Sequence, residues 1–346
     1  MGFFIEMKKT KKVLVALSGG MDSGTSAYLL KKKGYEVVGA FMKLNDAKGS
    51  VSAEKKAKAI AKFLRIPFFV FDFRKKFKKE IIDYFFDELK RGNTPNPCVF
   101  CNEKIKFGML LQMADKLKAD FLATGHYVKT KEIDGKIKMV KPKDKTKDQT
   151  YFLWRLKQKQ LKRLIFPMAT YDKKKDIKRM VWEIGLPIPN DVESQEVCFI
   201  EGKTEDYIKK NIKAKPGKIV DKQGKILSKH NGLWFYTIGQ RKGIGLAGGP
   251  YFVVEKDKKK NQLIVSKNEK DLYRKEIKIK NINWISGKSL GTRVRVKAKI
   301  RYGHKGAMAT IEKNKIVFDK PQRAATAGQS VAFYQGSELL GGATII

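Results

Sequence analysis

Cys98 and Cys101 stand three residues apart in the run Thr94-Pro95-Asn96-Pro97-Cys98-Val99-Phe100-Cys101-Asn102. Two prolines hold the approach extended, and the spacing lets both sulfurs face one point. Such a pair can be a redox dithiol, half of a zinc site, or two small buried residues. A structural zinc site usually takes four protein ligands. The chain has three cysteines and three histidines (His126, His230, His304) in all, so zinc is not favoured. The third cysteine, Cys198, lies in Ser194-Gln195-Glu196-Val197-Cys198-Phe199-Ile200; alone it reads as an ordinary buried thiol. An odd, sparse set of cysteines argues against a secreted disulfide framework.

A second run, Ser18-Gly19-Gly20-Met21-Asp22-Ser23, follows the apolar stretch Lys12-Val13-Leu14-Val15-Ala16-Leu17 and opens a helical pattern. Glycines let backbone approach a phosphate closely, while the hydroxyls and the helix N-terminus supply donors and a favourable dipole. Two glycines alone would be turn chemistry; the complete run at a strand–helix junction favours phosphate. No Gly-Lys-Ser/Thr closes the loop, so it is not the Walker pattern.

The scaffold needed to hold these runs is legible in the periodicity. Strand signals at 12–17, at Glu36–Met42, at Pro67–Asp72 and at Phe121–Thr124 alternate with helical stripes. One such stripe is Ala53, Ala57, Ile60, Ala61 and Leu64; another is Leu110, Met113, Ala114 and Leu117. The first helix ends in Lys31-Lys32-Lys33-Gly34, cations and a glycine stop. This βαβα order predicts a doubly wound parallel sheet. From Lys218 onward short strand runs and turn signals take over, predicting an all-β part, a small barrel or sandwich. In Arg293–Tyr302 the residues Val294, Val296, Ala298, Ile300 and Tyr302 alternate with Arg293, Arg295, Lys297, Lys299 and Arg301. One face should enter a core and the other should be cationic. The fold class is therefore α/β plus β.

With 75 Lys+Arg against 35 Asp+Glu, the formal net charge is +40. That excess draws polyanions, although a lysine-rich organism would give the same balance with solvated helices. No apolar run approaches the roughly 20 residues of a membrane helix, and Met1–Glu6 matches neither a signal peptide nor a myristoylation site. A cytoplasmic protein without membrane partners is expected.

The runs recur in a recognisable order. Ser18–Ser23 and the Thr94–Asn102 run are followed by Ala123-Thr124-Gly125-His126-Tyr127 and Lys147-Asp148-Gln149-Thr150-Tyr151-Phe152-Leu153. Then come Phe166-Pro167-Met168, Glu196-Val197-Cys198-Phe199-Ile200, Tyr236-Thr237-Ile238-Gly239-Gln240-Arg241-Lys242-Gly243, Pro321-Gln322-Arg323-Ala324 and Gly328-Gln329-Ser330. On this series the chain resembles the tRNA-specific 2-thiouridylases from about residue 11 to the C-terminus. Its glycine loop resembles that of the ATP pyrophosphatases, which cleave ATP between the α and β phosphates.

The resemblance implies an ATP-pyrophosphatase catalytic domain at 1–203, a small central domain at 204–275 and a tRNA-binding C-terminal β-barrel at 276–346. It places Ala16, Leu17, Ser18, Gly19, Gly20, Met21, Asp22, Ser23, Met42 and Gly125 at ATP. It makes Cys101 the nucleophile and Cys198 the persulfide carrier. Asn96, Pro97 and Cys98 fall at the target uridine, and His126, Lys147, Asp148, Gln149, Arg301, Tyr302 and Gln329 at tRNA contacts. Magnesium is expected with ATP, with Asp22 its suggested ligand. By their own chemistry His126 could instead hydrogen-bond within a turn, and Asp148 could cap the helix before Tyr151.

In one implied mechanism AMP is transferred to the uridine C2 oxygen. Cys101 then attacks a Cys198 persulfide supplied by a desulfurase or relay protein, leaving a Cys101–Cys198 disulfide. In the other, Cys98, Cys101 and Cys198 hold three irons of a [4Fe–4S] cluster whose open iron carries sulfide. Many relatives carry Asp where this chain has Cys98, which adds a third sulfur. The segment after Met42 is also short and lacks the family's tryptophan-containing stretch. A small-molecule adenylating enzyme and a noncatalytic RNA-binding relative are the alternatives; the cysteine and tRNA-family runs speak against the first, and intact Asp22, Ser23, Cys101 and Cys198 against the second.

Overall fold

Val13, Leu14 and Val15 are fully buried because strand β1 (Lys12–Ala16) has a parallel neighbour on each side. A strand covered on both faces and both edges has to be apolar throughout, which is why no alternation is visible in this run. The computed structural model describes residues 10–188 and 197–346. These form two units, one of residues 10–77, 102–150 and 156–188, the other of residues 78–101, 151–155 and 197–346.

In the first unit, β1 is joined by β2 (Glu36–Lys43), β3 (Phe68–Asp72), β4 (Phe121–Ala123) and β7 (Leu164–Ile165). The order is β3-β2-β1-β4-β7 with every pairing parallel. The chain leaves β1 toward β2 and β3, then returns to the other side of β1 as β4. The point where the order reverses lies between β1 and β4, and ligands of open α/β sheets bind beyond the carboxyl ends of strands at such a point. Helix α1 (Met21–Lys32) links β1 to β2, and α2 (Lys48–Phe63) links β2 to β3. The α2 stripe is as expected, with Ala57, Ile60 and Ala61 in the core. At the sheet edge, β3 is less buried than its apolar sequence suggests, with Phe69 and Val70 exposed. Strands β5 (Lys129–Ile133) and β6 (Lys136–Val140) form a hairpin. It turns through Asp134 and Gly135, both at positive φ, as a tight Asp-Gly hairpin turn requires.

The second unit is largely β. Strands β8 (Gly217–Val220), β9 (Ile226–His230), β10 (Phe252–Asp257) and β11 (Gln262–Ser266) form a sheet ordered β10-β11-β8-β9 around Ile219, Val253, Leu263 and Val265. Strands β12 (Tyr273–Trp284), β13 (Arg293–Lys299), β14 (Ala307–Glu312), β15 (Lys315–Arg323), β16 (Ser330–Gln335) and β17 (Glu338–Ile345) run in the order β12-β15-β14-β13-β16-β17. Pairing of β12 with β17 closes them into a six-stranded barrel, which removes the open edges. Its core includes Val296, Ala298 and Ile300, three of the residues expected to point inward. Tyr302 is a correction: β13 ends at Lys299, and the Tyr302 ring is exposed beyond it. The outer face of β13 is also less cationic than its sequence, since Arg293 pairs with Glu312 and Arg295 with Asp319. Among the described residues, no helix is long and apolar enough to cross a membrane.

Candidate active site

The loop from Ala16 to Ser23 leaves the carboxyl end of β1 and enters α1. Gly19 adopts φ +80°, and a Cβ on it would meet the Ala53 carbonyl oxygen at 2.5 Å. Both the backbone conformation and the close passage of α2 therefore demand glycine here. The Ser23 hydroxyl accepts from the Ser18 amide at 3.1 Å, lies 3.1 Å from the Ser18 hydroxyl and donates to the Gly20 carbonyl at 3.0 Å. At Gly20, the N-cap of α1, no side chain caps the helix. The first-turn amides and the positive end of the helix dipole are thus available to an anion.

Gly125 follows β4 on the other side of the reversal point. A Cβ at Gly125 would sit 2.9 Å from the Asp22 carbonyl carbon and from the Ser23 nitrogen, so this glycine abuts the loop itself. Met42 is half-buried near the end of β2, two positions beyond Ala40, whose carbonyl accepts from the Leu17 amide at 2.8 Å. The residues expected at ATP in this unit therefore converge on the carboxyl ends of β1, β2 and β4.

Asp22 is more constrained than its sequence suggested. Its Oδ1 accepts from the Tyr127 hydroxyl and its Oδ2 from the Lys173 ammonium, each at 2.8 Å. Tyr127 is held in turn by Gln149, whose side-chain oxygen accepts the Tyr127 amide at 2.9 Å. Lys173 is 9% exposed. Its backbone amide donates to Asp144 at 3.2 Å, and Asp172 caps the turn that begins at Lys173 by accepting from the Lys175 amide at 2.9 Å. Burial would raise the Asp144 carboxyl, but hydrogen bonds from Thr146, Lys173 and Lys147 hold it below the usual carboxylate range. Sequence reasoning missed Lys173, and among 75 Lys+Arg nothing in its local run separates it from solvated lysines.

Several residues expected at tRNA have partners within the fold. Asp148 is buried and accepts from the Thr150 amide at 3.0 Å and hydroxyl at 2.5 Å, capping the short turn Thr150–Leu153. Lys147, beside it, is half-buried. The His126 Nδ1 lies 2.8 Å from the Thr124 hydroxyl, and its ring is set against Phe107 and Phe166. Burial, assisted by the Lys106 charge, pushes its pKa well below the ordinary histidine value. His126 is therefore neutral at physiological pH.

In the second unit, the cysteine-bearing segment is fastened residue by residue. Lys256 donates to the Gly92 carbonyl at 3.3 Å and Lys258 to the Asn93 side chain at 3.2 Å. The Thr94 amide donates to the Ala327 carbonyl at 2.8 Å, and the Gln329 side-chain amide donates to the carbonyls of Thr94 at 2.9 Å and Pro95 at 3.4 Å. Asn96 hydrogen-bonds the hydroxyl of buried Tyr151, which donates to the Ser330 carbonyl at 2.9 Å. Pro97 then starts the helix Pro97–Cys101, its missing N–H costing nothing at that position. Within this helix, Cys98 is half-buried and Cys101 buried, whereas Cys198 is exposed; the run Ser194-Gln195-Glu196 before it lies outside the described residues. On the helix the Phe100 ring lies between Tyr84, 4.2 Å away, and the Arg155 guanidinium, 4.6 Å away. Farther along the chain, Arg301 donates to the Arg323 carbonyl at 3.1 Å, and Tyr302 packs on Phe152 at 4.7 Å.

Three family models tile the chain: a tRNA methyl transferase HUP domain over residues 11–202, a tRNA methyl transferase PRC-barrel domain over 205–267 and an aminomethyltransferase β-barrel domain over 274–345. A tRNA-specific 2-thiouridylase MnmA 2 of Clostridium botulinum is 45% identical, covering 96% of this chain and 98% of that relative. The chain belongs to the tRNA-specific 2-thiouridylase family. Its relative from Clostridium perfringens is 43% identical over 97% of this chain and 98% of that protein. A solved U34-tRNA thiolase NcsA from Methanococcus maripaludis, with its [4Fe–4S] cluster, is 19% identical and covers 58% of this chain and 66% of its own, with a TM-score of 0.38. That likeness is too distant to bear on the sulfur chemistry of this 2-thiouridylase. Among the described residues, no three His, Cys, Asp or Glu side chains gather as a metal site. The three cysteines therefore do not fit a cluster as they stand. A magnesium ion makes smaller demands: it keeps most of its waters and needs one or two carboxylates beside substrate phosphates, and Asp22 is the carboxylate the loop supplies.

Proposed function

We propose that this 2-thiouridylase activates the C2 oxygen of the tRNA wobble uridine with ATP and then replaces that oxygen with sulfur from a cysteine persulfide. The observation that carries the proposal is the Ser18–Ser23 loop at the reversal point of the parallel sheet, closed by Gly125. In the first step the uridine oxygen attacks the α-phosphorus, the bond to the β-phosphate breaks, and pyrophosphate leaves with the bonding pair. Donors on the loop and the α1 dipole favour that leaving group. Ala16 to Ser23, Met42 and Gly125 hold the nucleotide, and Asp22 ligates its magnesium.

In the second step Cys101 releases sulfur from a persulfide carried by Cys198. A desulfurase or relay protein loads Cys198 as a persulfide, and the Cys101 thiolate attacks its inner sulfur. That step forms the Cys101–Cys198 disulfide and expels hydrosulfide, which adds to C2 while AMP departs. External thiol reduces the disulfide. Exposure of Cys198 suits loading by a partner protein, and burial of Cys101 suits a shielded nucleophile. Asn96, Pro97 and Cys98 face the uridine, while His126, Lys147, Asp148, Gln149, Arg301, Tyr302 and Gln329 serve tRNA docking directly or through the segments they brace. In this reading residues 1–203 catalyse, 204–275 connect and 276–346 bind tRNA, in the cytoplasm.

In vitro thiolation with Cys98→Ala, Cys101→Ala and Cys198→Ala tests the assignment. Loss of 2-thiouridine with the last two and retention with Cys98→Ala is expected. Abolition by all three, together with iron bound after anaerobic purification, would replace the persulfide route by the cluster route. Unchanged 2-thiouridine in tRNA from cells lacking the protein would reject the activity itself.

A further inference from the structure

We propose that Lys173 is a catalytic residue of the adenylation step: its ammonium, paired with Asp22 in the nucleotide-free protein, transfers to the phosphates of ATP. The inference rests on the ATP-using reading above and adds to it the cation that the loop lacks.

The residues from Ala16 to Ser23 include no lysine or arginine. A loop built only of amides and hydroxyls has to bind a highly charged triphosphate and stabilise a departing pyrophosphate, so positive charge must come from elsewhere in the fold. Among the described residues, Lys56 and Lys173 both approach it. Lys56 passes Gly19 on α2, its Cβ 3.0 Å from where a Cβ on Gly19 would lie. Lys173 directs its ammonium at the loop's own carboxylate at 2.8 Å, with its side chain 11% exposed and that of Asp22 29% exposed.

Holding a lysine this deeply costs desolvation energy that a single ion pair seldom returns. Asp22 does not need Lys173 to be satisfied at Oδ1, where Tyr127 already donates. The arrangement has the properties of an exchangeable pair. With ATP bound, Asp22 would hold its magnesium and Lys173 would meet the phosphate oxygens, so each member of the pair exchanges one opposite charge for another. As uridine oxygen bonds to the α-phosphorus and the bond to the β-phosphate breaks, the bridging oxygen gains charge. Lys173 donates hydrogen bonds to that oxygen and gives up no proton.

Two experiments on the full chain test this. In the first, the wild-type protein reacts with an acyl-phosphate derivative of ATP, whose acyl group passes to an amine lying at the phosphates while the nucleotide leaves. Peptide mapping should find the acyl group on Lys173, and excess ATP should suppress it. Labelling of Lys56 without Lys173 would overturn the proposal, whether or not any variant folds. In the second, Lys173→Ala and Lys56→Ala are compared for magnesium–ATP affinity by calorimetry and for tRNA-dependent pyrophosphate release. Lys173→Ala should lower kcat by about 100-fold or more, the scale for loss of one charge-stabilising donor, weaken ATP binding, and recover in part with added ethylammonium. Lys56→Ala should stay within about threefold of wild type on the same scale. Lys173→Ala with near wild-type kcat, or with a loss that ethylammonium leaves untouched, would overturn it. Failure of the wild-type protein to bind ATP at all would instead overturn the ATP reading.

Discussion

Gly125 and Asp22 approach so closely that a methyl group on the first would lie 2.9 Å from the carbonyl carbon of the second. The contact is backbone against backbone, with the Ser23 nitrogen equally near, so no side chain can swing aside to make room. Gly125→Ala should therefore push the loop away from β4 rather than destabilise the fold broadly. A displacement of about 1 Å at a reacting site can cost on the order of 100-fold in rate. The variant should melt near wild type but show a fall of that size in kcat/KM for ATP. A wild-type value would mean that the loop tolerates the shift and that its position is not critical.

Gln329 offers a test of what the expected tRNA contacts do. Its side-chain amide is committed to the carbonyls of Thr94 and Pro95, immediately before the cysteines. Gln329→Ala leaves those carbonyls without this donor, at a cost of about 1 kcal/mol to the local arrangement. If its role is to brace that segment, tRNA affinity by filter binding should change little while kcat for thiolation falls. A large rise in Kd for tRNA with unchanged kcat would make it a docking residue instead.

How much of this was legible beforehand depends on where each signal resides. Val13–Val15 and the α2 stripe were readable because burial on both faces, or on one helical face, imprints directly on residue type. Gly19 was readable because a loop whose backbone must pass closely at a strand–helix turn calls for glycine; Gly125 came only with the family resemblance, and its close approach to Asp22 leaves no local pattern. Lys173 was not readable, because an ion pair with Asp22 across 151 positions leaves no local pattern either. The same holds for Lys256 and Lys258, which look like any solvated lysines until the fold brings them to Gly92 and Asn93. Tyr302 was misread because alternation continued past the end of β13, and periodicity does not show where pairing stops.

His126 gives a pH prediction with a definite sign. Burial and the Lys106 charge lower its folded pKa well below 6.5, the value it regains on unfolding. As pH falls through 6.5 the unfolded chain takes up the proton first, so the stability this residue contributes is present above that pH and lost below it. Urea unfolding at pH 7 and pH 5 should show a smaller acid-side loss for His126→Gln than for wild type. Equal losses would mean that the imidazole is protonated in the folded protein.

Lys256 carries a consequence of the same sign, at alkaline pH. It lines a cavity of about 370 Å³ with Gly92, Asn93 and Arg274. Burial, reinforced by the charge of Lys258, lowers its pKa from 10.5 to about 8. Below pH 8 both folded and unfolded chains hold the proton, and the cost of burying the charge is paid in full. Between 8 and 10.5 the folded amine is neutral while the unfolded one stays charged, so the unfolded chain binds more protons and stability rises with pH from this group. The neutral amine can still donate to the Gly92 carbonyl, so the latch on the cysteine segment survives the titration. Replacing Lys256 by Met removes both the cost and the pH dependence. Measured by urea midpoint, wild type should therefore gain on Lys256→Met as pH rises from 7.5 to 9.5. If it loses ground instead, the charged form of Lys256 is what holds Gly92, and the desolvation argument has the balance of effects reversed.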